Sequence, residues 1–191
     1  MIKYYKQTMI GIVATDFTGG IGKNGEIPWR LKEDMIRFRK ITSGVSKIQS
    51  DQSNCIIMGR KTWDTIKCPL PNRINIVVST SLSELDFKSS NNIANSFVYQ
   101  NKPHFIAKNK QEVLEWIECN KERIHKTFVI GGKQIYDLFF DEINTFELTI
   151  LKNDYECDTK IDLTKIYDNF KVEQVFPQFN HTNIVMIKYF F

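Results

Sequence analysis

Short apolar runs that alternate with helix-patterned segments constrain this chain more than any other feature. Met9 to Ala14 and Cys55 to Met58 read as buried strands, and Ile74 to Val78, Thr127 to Ile130 and Phe146 to Leu151 as further strands. Met9 to Ala14 and Cys55 to Met58 are short apolar runs bounded by turn-forming or polar residues, the pattern of a strand covered on both sides. Between them stand helical candidates: Leu31 to about Ser43, Arg60 to Ile66, a segment through about Glu122, and Lys133 to Phe140. The third of these opens on Asn109 and Glu112 in capping-box spacing. The alternation predicts an α/β fold, with a mostly parallel sheet and helices on both faces. Lys171 to Phe176 and Ile184 to Phe190 come late, with no helix between them. They are expected to pair as a hairpin and give the sheet an antiparallel edge. Gly44 to Asn54 and Ser81 to Lys102 are polar and read as surface excursions, the second around a short strand at Phe97 to Tyr99.

The first helix carries a carboxylate in an unusual place. At about 100° per residue, Leu31, Met35, Phe38 and Thr42 share one face. Asp34 falls within about 60° of that face's centre, whereas Glu33 points to the wet side. A carboxylate on an apolar face needs a hydrogen-bonding partner. It is either a structural Asp satisfied by backbone or an arginine, or a group that acts on a ligand. The preceding loop, Thr15 to Pro28, holds four glycines and runs into Trp29. It is expected to be mobile.

Two strand-to-helix junctions look built for anions. In Gly59-Arg60-Lys61-Thr62, free N–H groups at a helix start combine with two cations. In Val129-Ile130-Gly131-Gly132-Lys133, two glycines let a ligand approach the backbone closely, although a plain tight turn reads the same way. Two such junctions in one open sheet favour a ligand with separated phosphates, such as a dinucleotide. The Gly-x-Gly-x-x-Gly fingerprint is absent, so an ordinary Rossmann half is not supported. Arg73, after the Pro-flanked loop, pairs a carboxylate or is a solvated charge at a loop end.

Composition narrows the partners. The balance of 26 basic against 22 acidic residues fits an anionic small molecule. There is no long basic run, so nucleic acid is not expected. No stretch approaches the ~20 apolar residues of a membrane span, and residues 1–8 lack the apolar core of a signal peptide. Cys55, Cys68, Cys119 and Cys157 are scattered, which predicts neither a metal site nor a disulfide framework and fits a reducing cytoplasm. At 191 residues, a single domain over 1–191 is the simplest expectation.

Taken in order, these segments resemble dihydrofolate reductase. The pieces are Ile21-Gly22 through Pro28-Trp29, Asp34 with Phe38, Met58-Gly59-Arg60-Lys61-Thr62-Trp63 and Pro71 to Ser79. They continue with Val129-Ile130-Gly131-Gly132 through Tyr136, Leu148-Thr149 and Asp158-Thr159. Any one is weak, but the ordered set is specific and spans Met9 to Phe190. The resemblance implies an eight-stranded sheet and a cytoplasmic, NADPH-dependent enzyme of one-carbon metabolism. It reduces 7,8-dihydrofolate to tetrahydrofolate and is a target of antifolate inhibitors. A monomer is expected unless the chain is part of a thymidylate synthase fusion.

The resemblance also implies roles. Asp34 holds the pterin and promotes protonation at N5, with Trp29 and Thr149 organising the hydrogen bonds around it. Ile12, Val13 and Ala14 line pterin and nicotinamide, Ala14 on the cofactor side. Met35, Phe38, Ile66 and Leu70, with Ile130 and Tyr136, form the substrate walls, and Arg73 pairs the α-carboxylate of the glutamate tail. Arg60, Lys61, Thr62, Ser79 and Thr80 take the adenosine half and its 2′-phosphate. Gly59, Gly131, Gly132, Lys133, Gln134 and Ile135 flank the pyrophosphate, with a cis peptide between the two glycines. Ile21 and Gly22 belong to a lid that closes over the nicotinamide. The nearest rival is a pyrimidine reductase of riboflavin synthesis, which shares fold and cofactor; Trp29 with Asp34 speaks for the pterin. A non-catalytic RNA-binding or scaffold role leaves Asp34, Thr149 and Arg73 without a purpose.

Overall fold

A computed structural model describes residues 8–44, 51–83 and 102–188. Its centre is an eight-stranded sheet in the order β5-β4-β3-β6-β1-β7-β10-β9. These strands are β1 (Met9–Asp16), β3 (Ser53–Gly59), β4 (Arg73–Val78), β5 (Phe105–Ala107), β6 (Ile124–Val129), β7 (Thr145–Leu151), β9 (Phe170–Pro177) and β10 (His181–Lys188). Pairs from β5 through β7 are parallel. The β10 strand runs antiparallel to both β7 and β9. The expected architecture is therefore present, antiparallel edge included.

Among the described residues, five α-helices cover the sheet: α1 (Lys32–Thr42), α2 (Arg60–Ile66), α3 (Lys110–Cys119), α4 (Lys133–Phe139) and α5 (Leu163–Asn169). Strand alternation sends successive side chains to opposite faces. Thus Ile10, Ile12, Ile56, Met58, Val77 and Phe128 pack with Trp63 of α2 and with Phe38 and Ile41 of α1. Val13, Cys55, Ile57, Ile76 and Val129 pack on the other face with α3, α4 and α5. Near the β7 end of that second core, Phe140, Phe146 and Phe170 interlock with ring centroids 5.0–6.2 Å apart. Among the described residues, no helix is long and apolar enough to cross a membrane.

Several elements differ from the sequence reading. The glycine-rich segment after β1 is not a free loop: β2 (Gly20–Gly22) pairs with β8 (Thr159–Lys160). Asp16, buried at the end of β1, anchors it. Its carboxylate accepts from Thr18 N (2.9 Å), Thr18 Oγ1 (2.8 Å) and Gly20 N (2.8 Å), and more weakly from Tyr155 N (3.4 Å). Burial pushes the Asp16 pKa up, but these hydrogen bonds outweigh it and hold the carboxyl below its ordinary value. The α5 helix, capped by Asp162 Oδ1 accepting from Lys165 N, was not read, and neither was β5. The expected strand at Phe97 to Tyr99 lies outside the described residues.

The Asp16 anchor makes a stability prediction. A pKa depressed in the folded state contributes stability above the unfolded value, and that contribution is lost as pH falls through the folded pKa. Asp16→Ala is expected to cost about 1–3 kcal/mol at pH 7, because buried N–H groups lose their acceptor. The gap to wild type should narrow in acid. Urea unfolding at pH 7 and at pH 3 measures it; an equal gap at both would show that the charge is not the anchor.

Candidate active site

The site begins on the first turn of α1. Asp34 Oδ1 lies 2.6 Å from Thr149 Oγ1 on β7. Thr149 is buried, and its hydroxyl also lies 2.9 Å from Asn183 Oδ1 on β10. One helical step on, Arg37 pairs with Glu147, two residues before Thr149 on the same face of β7. The helix therefore docks on β7 through two polar rungs, and this explains a departure from the sequence reading. Met35 is 62% exposed and does not face the core; the burial of this face is carried by Leu31 and Thr42, with Phe38 half-buried between them.

Ala14 pairs in register with Thr149, so β1 runs directly beside the carboxylate's partner. Ile12 faces the core shared with α1 and α2, whereas the Val13 side chain lies in the opposite core, so only its backbone can line a ligand. Trp29 is half-buried against Tyr155, with ring centroids 5.1 Å apart. Tyr136, expected as part of the substrate wall, lies on α4. The ring is buried in the α4 core, and its hydroxyl donates to Ile12 O at 2.7 Å. Burial, and then the Asp34 charge, push the Tyr136 pKa well up, so it stays a donor that holds β1 from beneath.

The other end of α1 carries the cationic part. Arg73, the first residue of β4, is only 6% exposed. Its Nη1 donates to Thr42 Oγ1 at 2.7 Å and its Nε to Pro71 O at 3.0 Å. Its guanidinium carbon lies 6.0 Å from the centroid of Phe38. Among the described residues it forms no ion pair. Burial, and then the nearby Arg39 charge, lower its pKa, as expected for a cation without a counter-ion. A buried guanidinium held by neutral groups calls for an anion. Asp34 and Thr42 stand eight residues apart on one helix, or about 12 Å along its axis at about 1.5 Å per residue. Phe38, Ile66, Leu70 and Ile130 are partly buried against the core on that side of the sheet. The helix thus spaces a carboxylate from a cation across an apolar wall.

The two glycine junctions meet at the C-terminal ends of β3 and β6. Gly59 N donates to Gly131 O at 2.8 Å. A Cβ on Gly59 would lie 2.9 Å from Ile135 Cγ1, and one on Gly131 would lie 2.8 Å from Tyr136 Cε2. Gly131 also has φ 101°, a conformation that favours glycine, and its peptide to Gly132 is cis, as the resemblance implies. Neither α2 nor α4 has a side-chain cap at its start. Thr62 faces Gly132, with Oγ1 3.8 Å from where a Cβ there would sit.

Not every expected cofactor contact is free. Arg60 Nε is engaged by both oxygens of Asp64 (2.9 and 3.0 Å), and its Nη1 donates to Ser81 Oγ at 3.2 Å. Ser79 Oγ accepts from Leu82 N at 2.9 Å and so shapes its own turn, while Thr80 is exposed. Lys133 is held by Asp137 at 2.5 Å. Gln134 is exposed and Ile135 is a core residue. Lys61 is exposed at the junction, and Ile21 and Gly22 lie in β2. Sequence reading missed Thr42, Asn183 and Ser81, which nothing local marks. It also missed Asp64, whose i,i+4 spacing from Arg60 was legible. Among the described residues, no group of three or more His, Cys, Asp or Glu could hold a metal ion.

Comparison with known proteins places this arrangement. A family model described as dihydrofolate reductase matches residues 8–162. A dihydrofolate reductase from Ureaplasma parvum is 31% identical over 164 residues, covering 81% of this chain and 87% of that protein. The dihydrofolate reductase of Saccharomyces cerevisiae is 31% identical over 179 residues, or 91% of this chain and 78% of the other. A bifunctional dihydrofolate reductase-thymidylate synthase from Paramecium tetraurelia is 30% identical over 171 residues, which is 88% of this chain but 31% of the longer protein.

Proposed function

The chain belongs to the dihydrofolate reductase family, and from that premise we propose how its residues carry out the family's reaction, the NADPH-dependent reduction of 7,8-dihydrofolate to 5,6,7,8-tetrahydrofolate. The observation that carries the reading is α1. It sets Asp34, joined to Thr149, at one end of an apolar wall and a buried, uncompensated Arg73 at the other. A pterin with a glutamate tail has matching chemistry: a hydrogen-bonding ring, an aromatic middle and an anionic end.

Asp34 accepts hydrogen bonds from the pterin's amino edge and assists protonation at N5. Thr149 fixes one carboxylate oxygen, leaving the other for the substrate. Trp29 shields the polar edge, and Phe38, Ile66, Leu70 and Ile130 hold the ring and its benzoyl extension. Arg73 takes the α-carboxylate as a charge-assisted pair.

The glycine cradle fits a dinucleotide. Side chains at Gly59 and Gly131 would run into Ile135 and Tyr136, so glycine lets the ends of β3 and β6 sit close against α4 and leaves their backbone as the lining. NADPH, when bound, supplies the hydride for pterin C6, which is chemistry that no side chain can supply. Gly131 and Gly132 face its pyrophosphate, and Lys61, Thr62 and Arg60 its adenosine end. No metal is called for. The described cysteines are all unpaired, which fits action in a reducing cytoplasm, by one reductase domain over 1–191.

Loss of NADPH absorbance on adding dihydrofolate tests the reading, with the pyrimidine intermediate of riboflavin synthesis as control; turnover of the pyrimidine alone would overturn it. The Arg60 assignment has its own test. Asp64 braces the guanidinium at Nε and Ser81 accepts from Nη1, which leaves Nη2 for a 2′-phosphate. Arg60→Ala is expected to weaken NADPH by about 10–100-fold, the worth of one charge-assisted bond, and NADH far less. Fluorescence titration with both cofactors decides it, and equal losses would remove Arg60 from the site.

A further inference from the structure

The Thr149 hydroxyl has one hydrogen for two polar neighbours, a carboxylate and an amide whose oxygen and nitrogen ends exchange by a half-turn. Its Oγ1 lies 2.6 Å from Asp34 Oδ1 and 2.9 Å from Asn183 Oδ1. A hydroxyl carries one hydrogen, and neither an ionised carboxylate nor an amide oxygen can donate one. With Asp34 protonated, the chain closes: Asp34 donates to Thr149, and Thr149 donates to Asn183 Oδ1. With Asp34 ionised, Thr149 must donate to Asp34, and two acceptors then face each other unless the Asn183 amide turns over and offers its Nδ2 hydrogens. An asparagine serves both cases, because its two ends are a donor and an acceptor.

We propose that Asn183 is a positioning residue for the reaction, a two-way amide that flips with the protonation of Asp34 and keeps the Asp34–Thr149 bond intact in both states. This rests on the reading of Asp34 as the proton-assisting carboxylate. The fold supplies the geometry: Asn183 pairs in register with Thr149 across β10 and β7, so their side chains share a face. Other charged or titratable groups around Asp34 are already engaged. Arg37 of α1 and Glu147 of β7 pair with each other, and the Tyr136 hydroxyl from α4 is held by Ile12 O. On β10, the neighbours Thr182, Ile184 and Val185 carry no charge, and on β1, neither do Ile12, Val13 and Ala14. The amide is thus the partner that can answer a proton gained or lost at Asp34.

Two substitutions move the balance in opposite directions. Asn183→Leu leaves the Thr149 hydrogen without an acceptor when Asp34 is protonated, which favours the ionised form. Asn183→Asp offers only acceptors and a negative charge, which favours the protonated form. The midpoint of the pH profile of single-turnover hydride transfer should move down in the first and up in the second, each by about 0.5–1 pH unit, the worth of one hydrogen bond. NADPH affinity, read in parallel, should stay within about twofold of wild type. The second readout is the Asn183 side-chain amide resonance in ¹H–¹⁵N spectra. It should shift with pH alongside the rate in the wild type, and lose that response in Asp34→Asn. A midpoint unmoved by both substitutions, or an Asn183 signal that does not change with pH, overturns the proposal. If the amide signal titrates through Asp34 while hydride transfer ignores Asp34→Asn, the coupling stands and the catalytic reading of Asp34 falls.

Discussion

Asp34→Asn should lower hydride transfer at neutral pH by roughly 10²–10⁴, the usual worth of general acid–base assistance. The substitution keeps the size of the side chain, and its amide oxygen still accepts from Thr149, so α1 should remain docked on β7 beside the Arg37–Glu147 pair. NADPH should bind as before, because Gly59, Gly131 and Gly132 sit at the ends of β3 and β6, away from this rung. Lower pH should restore part of the rate, since solvent can then protonate N5 of the substrate directly. Single-turnover measurements across a pH series test both halves. Equal rates and equal profiles for variant and wild type would return Asp34 to the structural reading of an Asp satisfied by a neighbour.

The second large effect is expected at Arg73. Arg73→Leu should raise the KM for dihydrofolate by roughly 10²-fold or more, because losing one partner of a desolvated ion pair costs about 2–5 kcal/mol. NADPH affinity should not follow. Stability supplies the control that separates ligand binding from scaffolding. Arg73 is buried with no counter-ion among the described residues, and Thr42 still donates to Phe38 O in its absence. Replacing a buried, unpaired charge by an apolar side chain of similar reach is neutral or stabilising for the fold. A thermal midpoint that holds or rises while KM climbs marks Arg73 as a ligand residue. A midpoint that falls with an unchanged KM would assign it to the scaffold and withdraw the glutamate tail from this end of α1.

Much of this architecture was legible before any coordinates. Runs such as Met9 to Ala14 and Cys55 to Met58 are buried on both faces, and two-sided burial leaves an unbroken apolar run in the sequence. The helix at Arg60–Ile66 and the one opened by Asn109 announce themselves through local signals, a glycine boundary and a capping box. The late hairpin followed from two strand-like runs with no helix between them. The glycine pair, Asp34 and Arg73 stood out because each breaks the local pattern: backbone without side chains after a strand, a charge on an apolar face, a cation at the mouth of a buried strand.

What stayed hidden has one physical cause: partners far apart in the chain leave no periodic trace. β2 pairs Gly20 with Lys160, and glycines offer no side-chain alternation to read. Asp34 looked like a carboxylate in search of a partner, but only the parallel pairing of β1 with β7 put Thr149 beneath it, and only the antiparallel return of β10 put Asn183 beside Thr149. Burial of Arg73 without an acid could not be inferred from its loop. It depends on α1 ending at Thr42, which hands the guanidinium a hydroxyl instead of a carboxylate. The stripe through Met35 was read from periodicity as a core face, yet helix period says which residues share a side, not what that side meets. In the fold that side meets polar rungs on β7, and Met35 stays exposed. Residue types and their order thus carry the chemistry and the class of fold, while long-range strand pairing decides which of those residues meet and which charge is left for a substrate to complete.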